Sequence, residues 1–137
     1  MLGGSNMKKV LIVGESWTVQ ETHVKGFDTV DLGRLEQDSS SHLVEALKNA
    51  GIEVDYLPSH LAQYHFPDTV EQLNEYSAIA LSDIGSNTIM MDPIMQFQGI
   101  RKPNRMLAMV DYVKNGGGLA MFGGYLSFSG IENKARY

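Results

Sequence analysis

"KKVLIVG", Lys8 to Gly14, is the stretch on which the fold turns. It is a continuous apolar run rich in β-branched residues, stopped by glycine. A strand exposed on one face alternates apolar and polar residues. A strand buried on both faces does not, and such strands belong to parallel sheets covered by helices. Three more runs read as strands: "IEVDYLP" (Ile52 to Pro58), "SAIALSDIG" (Ser77 to Gly85) and "GLAMFGG" (Gly118 to Gly124).

Between the runs lie helical patterns. "DSSSHLVEALKNAG" offers caps at Asp38 and Ser39 to Ser41. It places Leu43, Ala46, Leu47 and Ala50 on one face and stops at Gly51. "PDTVEQLNEY" reads as a short helix with Asp68 at its cap and Glu71 three residues on, as in a capping box. "NRMLAMVDYVKNGGG" puts Met106, Met109, Val110 and Val113 on one face before the Gly116 to Gly118 break. Two segments read as long loops: Glu15 to Gly33, which has no clean period, and Ser86 to Pro103. "SHLAQYHF" (Ser59 to Phe66) has no decided structure. The order β-α-β-α-β-α-β predicts a three-layer α/β/α sandwich with four parallel strands, flavodoxin-like, with right-handed crossovers.

Composition narrows the function. The chain has 137 residues, the length of one domain, and a net charge of −5, which argues against nucleic acid as a partner. No apolar run is long enough to span a bilayer, and no secretory leader is evident, so no membrane is expected and the expected location is cytoplasmic. There is no cysteine, which removes disulfides, thiolate metal sites and cysteine nucleophiles together. The four histidines lack metal-ligand spacing, so neither a metal nor a cofactor is expected. Residues 1–6, "MLGGSN", read as a leader or expression remnant ahead of a domain at 7–137.

Ligands in open α/β sheets sit at the carboxyl ends of the strands. Three segments fall there: Gly14-Glu15-Ser16-Trp17, Ser82-Asp83-Ile84-Gly85, and Gly123-Gly124-Tyr125. Glu15 is either an acid–base or hydrogen-bonding group, or a solvated loop acid. Trp17 is a stacking wall or a core residue. Asp83 fixes a ligand or caps its own turn. His23 and Lys25, two apart in the first long loop, either close over an anionic or carbonyl ligand or lie in solvent. The Met-rich stretch "IMMDPIMQF" suits core packing, a dimer contact or an adaptable wall. The glycines at 116–118 follow a helix rather than open one, and so read as a helix stop and not a phosphate cradle.

"KKVLIVGESW" and "GGGLAMFGG", with "HVKGFD", "LSDIGSNT" and "GGYLSFSG" in this order, resemble the class I glutamine amidotransferase-like superfamily. Within it they look like the cytoplasmic branch labelled putative glutamine amidotransferase, related to the trehalose-utilisation-type proteins. The resemblance implies that the turn after "GLAMF" is the elbow that carries the cysteine nucleophile in the catalytic relatives. It also implies that strand one and the elbow strand lie near the sheet centre, and that the family domain is longer, with its acid–base pair in a later segment. In this chain the nucleophile position falls on Gly123, or on Gly124 with a one-residue slip. Glycine attacks nothing, and neither Tyr125 nor Ser127 is at the apex.

Three readings follow: a small-molecule-binding or regulatory domain without glutaminase activity; a different enzyme, a hydrolase or isomerase on a sugar-like or amide substrate, with Glu15 or His23 as acid–base group; or an oligomerising interaction module. In the first, Glu15 and Ser16 bind the ligand, Trp17 and Tyr125 wall it, and His23 with Lys25 close over it. A chain ending after an uncovered strand is expected to form a homo-oligomer.

Overall fold

A computed structural model of the chain describes residues 8–137. The leader expected at residues 1–6 lies outside the described residues. Four strands, β1 (Lys9–Gly14), β4 (Glu53–Leu57), β5 (Ala78–Ser82) and β6 (Gly118–Phe122), form one parallel sheet in the order β4-β1-β5-β6. The expected α/β architecture with four parallel strands is present.

One face of the sheet carries the main core. Leu11, Val13, Ile79 and Leu81 meet Ala62, Phe66, Leu73, Ile84, Ile89, Ala108, Met109 and Tyr112 from the helical side. Those residues come largely from α2 (Ser59–His65), α3 (Val70–Leu73), α4 (Ser86–Met90) and α6 (Arg105–Lys114). The other face is covered more thinly by α1 (Ser41–Asn49), which packs on β4 through half-buried Val44 and Leu47 and buries no residue fully. Leu43, Ala46 and Ala50, expected on its apolar face, are exposed.

The chain runs from β1 out to β4, then returns past β1 to β5 and β6. The direction of winding therefore reverses between β1 and β5. Loops leave the sheet in opposite directions there and open a crevice, the topological switch point of doubly wound sheets.

Three expectations are corrected, and one undecided segment takes a definite form. The segment after β1 is not a loop. It is a two-stranded antiparallel ribbon, β2 (Trp17–Lys25) and β3 (Asp28–Glu36), turning at Gly26-Phe27, with Gly26 at φ 66°. Ser59 to His65 is helical, continuing from Pro58, and closes its first turn with the Ala62 N–H on the Pro58 carbonyl. The capping box belongs to Thr69 and Gln72 rather than Asp68 and Glu71. The hydroxyl at 69 is a competent cap, and Asp68 is engaged elsewhere, by Lys102 and Arg105. The stretch 86–103 contains α4 and α5 (Pro93–Gln98), the latter capped by Asp92 with proline in its first turn. Of its Met-rich part, Ile89 is core, whereas Met91 and Phe97 are exposed.

Helix α6 is rotated from the face expected for it. Arg105, Ala108, Met109 and Tyr112, at i, i+3, i+4 and i+7, are buried, while Val110 and Val113 are exposed. The rotation brings Tyr112 over Gly117, where an added Cβ would lie 2.3 Å from its ring, and lets its hydroxyl donate to the Tyr76 carbonyl at 2.9 Å. Val110 and Val113 face a groove of about 420 Å³ beside β6, with Leu119 and Met121.

Arg105 is only 2% exposed. It joins four elements of the helical layer. Its guanidinium reaches Asp68 at 2.7 Å, Asp92 at 3.1 Å, and the carbonyls of Gln63 and Ile89 at 2.9 and 3.0 Å. Lys102 completes the square, 2.7 Å from Asp68 and 3.3 Å from Asp92. A buried guanidinium needs this saturation, because an unpaired charge in the interior is expensive.

Candidate functional site at the strand ends

The switch point is built by three successive residues. Gly14 ends β1 at φ 111°, and an added Cβ there would lie 2.0 Å from the Ser82 carbonyl oxygen. Only glycine lets β1 and β5 approach this closely. Glu15 follows at φ 48°, a left-handed conformation unusual for a residue with a side chain. It is held from three sides. Its N–H donates to the Ser82 carbonyl at 3.0 Å, its Oε1 accepts from the Ser82 hydroxyl at 2.8 Å, and its carbonyl oxygen lies 3.1 Å from the Tyr56 hydroxyl. Ser16, buried, then accepts the Ser59 N–H at 2.7 Å and ties the crevice to the start of α2.

Asp83 repeats the device on the neighbouring strand. It sits at φ 41°, directly after β5, and its Oδ1 accepts the Leu126 N–H at 2.8 Å. Gly124 packs on its carboxyl so closely that an added Cβ would lie 2.2 Å from Asp83 Cγ. Two non-glycine residues at positive φ thus flank the switch point. Such strain persists only where the surroundings over-determine it, and it concentrates at functional sites.

The geometry separates the two glycines of the elbow. An added Cβ at Gly123 meets nothing within 4 Å, whereas one at Gly124 collides with Asp83. Position 123 has room for a side chain and position 124 has none. Gly123→Ala is expected to leave stability within about 0.5 kcal/mol, and Gly124→Ala to cost about 2–4 kcal/mol, read from urea denaturation midpoints. Equal effects would mean that the Asp83–Gly124 contact is not as tight as described.

The expected residues do not all converge. Glu15 meets Ser82 at the end of β5 and Gly124 meets Asp83 just beyond it, whereas Ser16 turns to the start of α2. Strand β5 lies between β1 and β6, so Glu15 and the elbow are two strand spacings apart, about 10 Å. Among the described residues, strand β6 lies at an edge of this sheet. Gly85 faces a separate hollow of about 260 Å³ with Leu126 and Ile131. Trp17 is 40% exposed and Tyr125 is 73% exposed, so neither forms a packed wall. Ser127 is buried, and its hydroxyl has no partner among the described residues.

His23 and Lys25 lie near the tip of the β2–β3 ribbon. Six and eight residues beyond Trp17, they are about 20 and 27 Å along the strand from the crevice. The exposed His23 ring sits 3.4 Å from Glu21. A paired strand is not a closing loop, so in this geometry neither residue covers the crevice of its own chain.

One contributor escaped the sequence reading. Tyr56 sits at the β4 end, with its hydroxyl 2.9 Å from the Gly14 carbonyl oxygen. It also lines a hollow of about 430 Å³ with Gln37, Ser40, Ser41, Val44 and Lys48. Ser82 fixes the Glu15 carboxylate. Tyr56 stands at a strand carboxyl end, and the rule used for the other three strands would have included it.

The family model described as "Putative glutamine amidotransferase" (GATase1_like) matches residues 9–137. The chain belongs to this family. Two solved structures are similar to this amidotransferase-like chain. Cytoplasmic Protein STM3548 from Salmonella typhimurium shares 45% identity over 93% of this chain and 52% of its own, with a TM-score of 0.86. Cytoplasmic Protein STM1381 from Salmonella typhimurium LT2 shares 44% identity over 92% of this chain and 51% of its own, with a TM-score of 0.84. The chain therefore spans about half the length of these two proteins. No curated protein matches it. The resemblance read from the sequence holds at the level of family and fold, with no cysteine anywhere in the 137 residues. Among the described residues no helix is long and apolar enough to cross a membrane.

Proposed function

We propose that this amidotransferase-like chain binds a small polar molecule at the β1/β5 switch point and does not perform cysteine-dependent glutaminase chemistry. The observation that supports this best is the Glu15 clamp. A carboxylate is held at positive φ by Ser82 in the crevice, while the elbow position with room for a nucleophile is Gly123. The ligand reaches the free oxygen of Glu15 and extends into the hollow beside Tyr56, where Ser40, Ser41, Gln37 and Lys48 supply polar contacts. Cytoplasmic placement is part of the same proposal, as for the two similar Salmonella proteins.

The test combines two measurements. Ammonia release from glutamine should stay at background. A thermal-shift screen of small polar metabolites should give ligands whose affinity falls at least about tenfold in Glu15→Gln and Tyr56→Phe but not in Gly123→Ala. Glutamine turnover by the purified chain, or ligands indifferent to both Glu15 and Tyr56, would sink the proposal.

The alternative enzyme reading loses His23 as a partner for Glu15 within one chain, given the ribbon's length. The interaction reading gains from the ribbon itself.

A further inference from the structure

The β2–β3 ribbon is poorly housed. Of its eighteen strand residues only Val19 and Glu21 are half-buried; the rest are exposed. It touches the body lightly, through α2. It leaves Trp17, Val24, Phe27, Val30, Leu32 and Leu35 open to solvent, with Phe27 fully exposed at the tip. Two-stranded ribbons are marginal alone in water, and a nine-residue free edge is a template for another strand.

We propose that the ribbon is an arm that pairs with the same arm of a second copy, β2 against β2 about a twofold axis, making a four-stranded antiparallel sheet between two bodies. This inference is independent of the strand-end site.

Charge selects the edge. Strand β3 carries Asp28, Asp31 and Glu36 against Arg34 alone, so β3 against β3 gathers acids. Strand β2 carries Glu21, His23 and Lys25. A twofold perpendicular to the sheet keeps each side chain on its own face, so the axis must pass through a residue. Centred on Glu21, the pairing sets like charges opposite each other, which destabilises a sheet. Centred on Thr22, it sets Glu21 opposite His23 of the partner subunit, and does so twice. That register uses residues 19–25.

Trp17, Val24 and Phe27 border the β2 edge, and their exposed parts come to roughly 360 Å², taking ~200 Å² for an aromatic and ~100 Å² for an aliphatic side chain. The backbone edge and polar side chains bring this toward the ~800 Å² per partner of a standard interface.

The absence of cysteine makes the test clean. Thr22→Cys should give a disulfide-linked dimer under mild oxidation, because residues directly opposite across antiparallel strands lie within bridging distance. Thr18→Cys, on the same face but four residues from the axis, should not. Sedimentation of the wild type should show a dimer at about 10 µM, and Val24→Asp with Phe27→Asp should weaken it at least about tenfold. Circular dichroism of that double variant should still show the folded body. A monomeric wild type overturns the inference, whether its arm is bare or held by a different protein. A dimer indifferent to the double variant, or cross-linking at Thr18 but not at Thr22, overturns it as well.

Discussion

Arg105→Met is expected to remove about 3–5 kcal/mol of stability, a large part of what a domain of this size has. The substitution keeps volume but leaves Asp92, which is 1% exposed, with Lys102 as its remaining cation, and frees the Gln63 and Ile89 carbonyls. The melting temperature should fall by roughly 10–20 °C. Acid sensitivity gives a second readout. Burial pushes the Asp68 carboxyl up, but Lys102 and Arg105 outweigh it and hold the group below the ordinary range. Burial likewise pushes Asp92 up, and the Ile94 N–H, Lys102 and Arg105 pull it down further. Groups with depressed folded values stabilise the fold above their unfolded values, near 3.8, and lose that contribution as the pH falls through the folded ones. Wild-type stability should therefore drop steeply below about pH 4. The Arg105→Met variant, already without half the cationic charge, should show a shallower drop. A variant within 1 kcal/mol of wild type would show that the clamp adds little.

Gly14→Ala should cost at least about 3 kcal/mol, and it should do so for two separable reasons. The conformation at φ 111° is closed to alanine, and the new Cβ would lie 2.0 Å from the Ser82 carbonyl oxygen. Gly51→Ala isolates the first reason. Gly51 has φ 77° with nothing within 4 Å of an added Cβ, so its cost should stay near 1 kcal/mol. Urea denaturation of both variants measures the difference, which belongs to the close approach of β1 and β5. Equal costs would mean that the sheet spreads at the crevice without penalty.

The buried strands were legible because nothing in them is polar enough to face water. "KKVLIVG" and "SAIALSDIG" have no alternation, and their strands pair along their whole lengths with neighbours on both sides. The ribbon was not legible for the opposite reason. Cross-strand partners share a face, and Trp17, Val19, Val30 and Leu32 lie on one while Val24 and Leu35 lie on the other. The apolar residues change sides partway, so no period of two survives in either strand. The face of α6 was misjudged because Arg105 and Tyr112 are polar in composition but buried by their partners, while Val110 and Val113 are apolar and exposed. Hydrophobicity alone ranks those four in the wrong order. At the site, position after a buried strand located Glu15 and Asp83. Their left-handed backbone was not legible, because nothing in "GES" or "SDI" demands it. It arises from Ser82 and Gly124, brought near by the sheet.

The place of β1 in the middle of the sheet also sets an order of events during synthesis. Its first neighbour pairs Lys9 with Glu53, and its second pairs Val10 with Ala78. Strand β1 therefore stays unpaired until the segment around residue 57 has emerged and paired on one side alone until that around residue 82, and closing such long loops slows folding. The β2–β3 ribbon need not wait, since its most distant pair is Trp17 with Glu36. Hairpins close in microseconds, while synthesis adds a residue in about a tenth of a second. On the nascent chain the arm can form before the body to which it will belong.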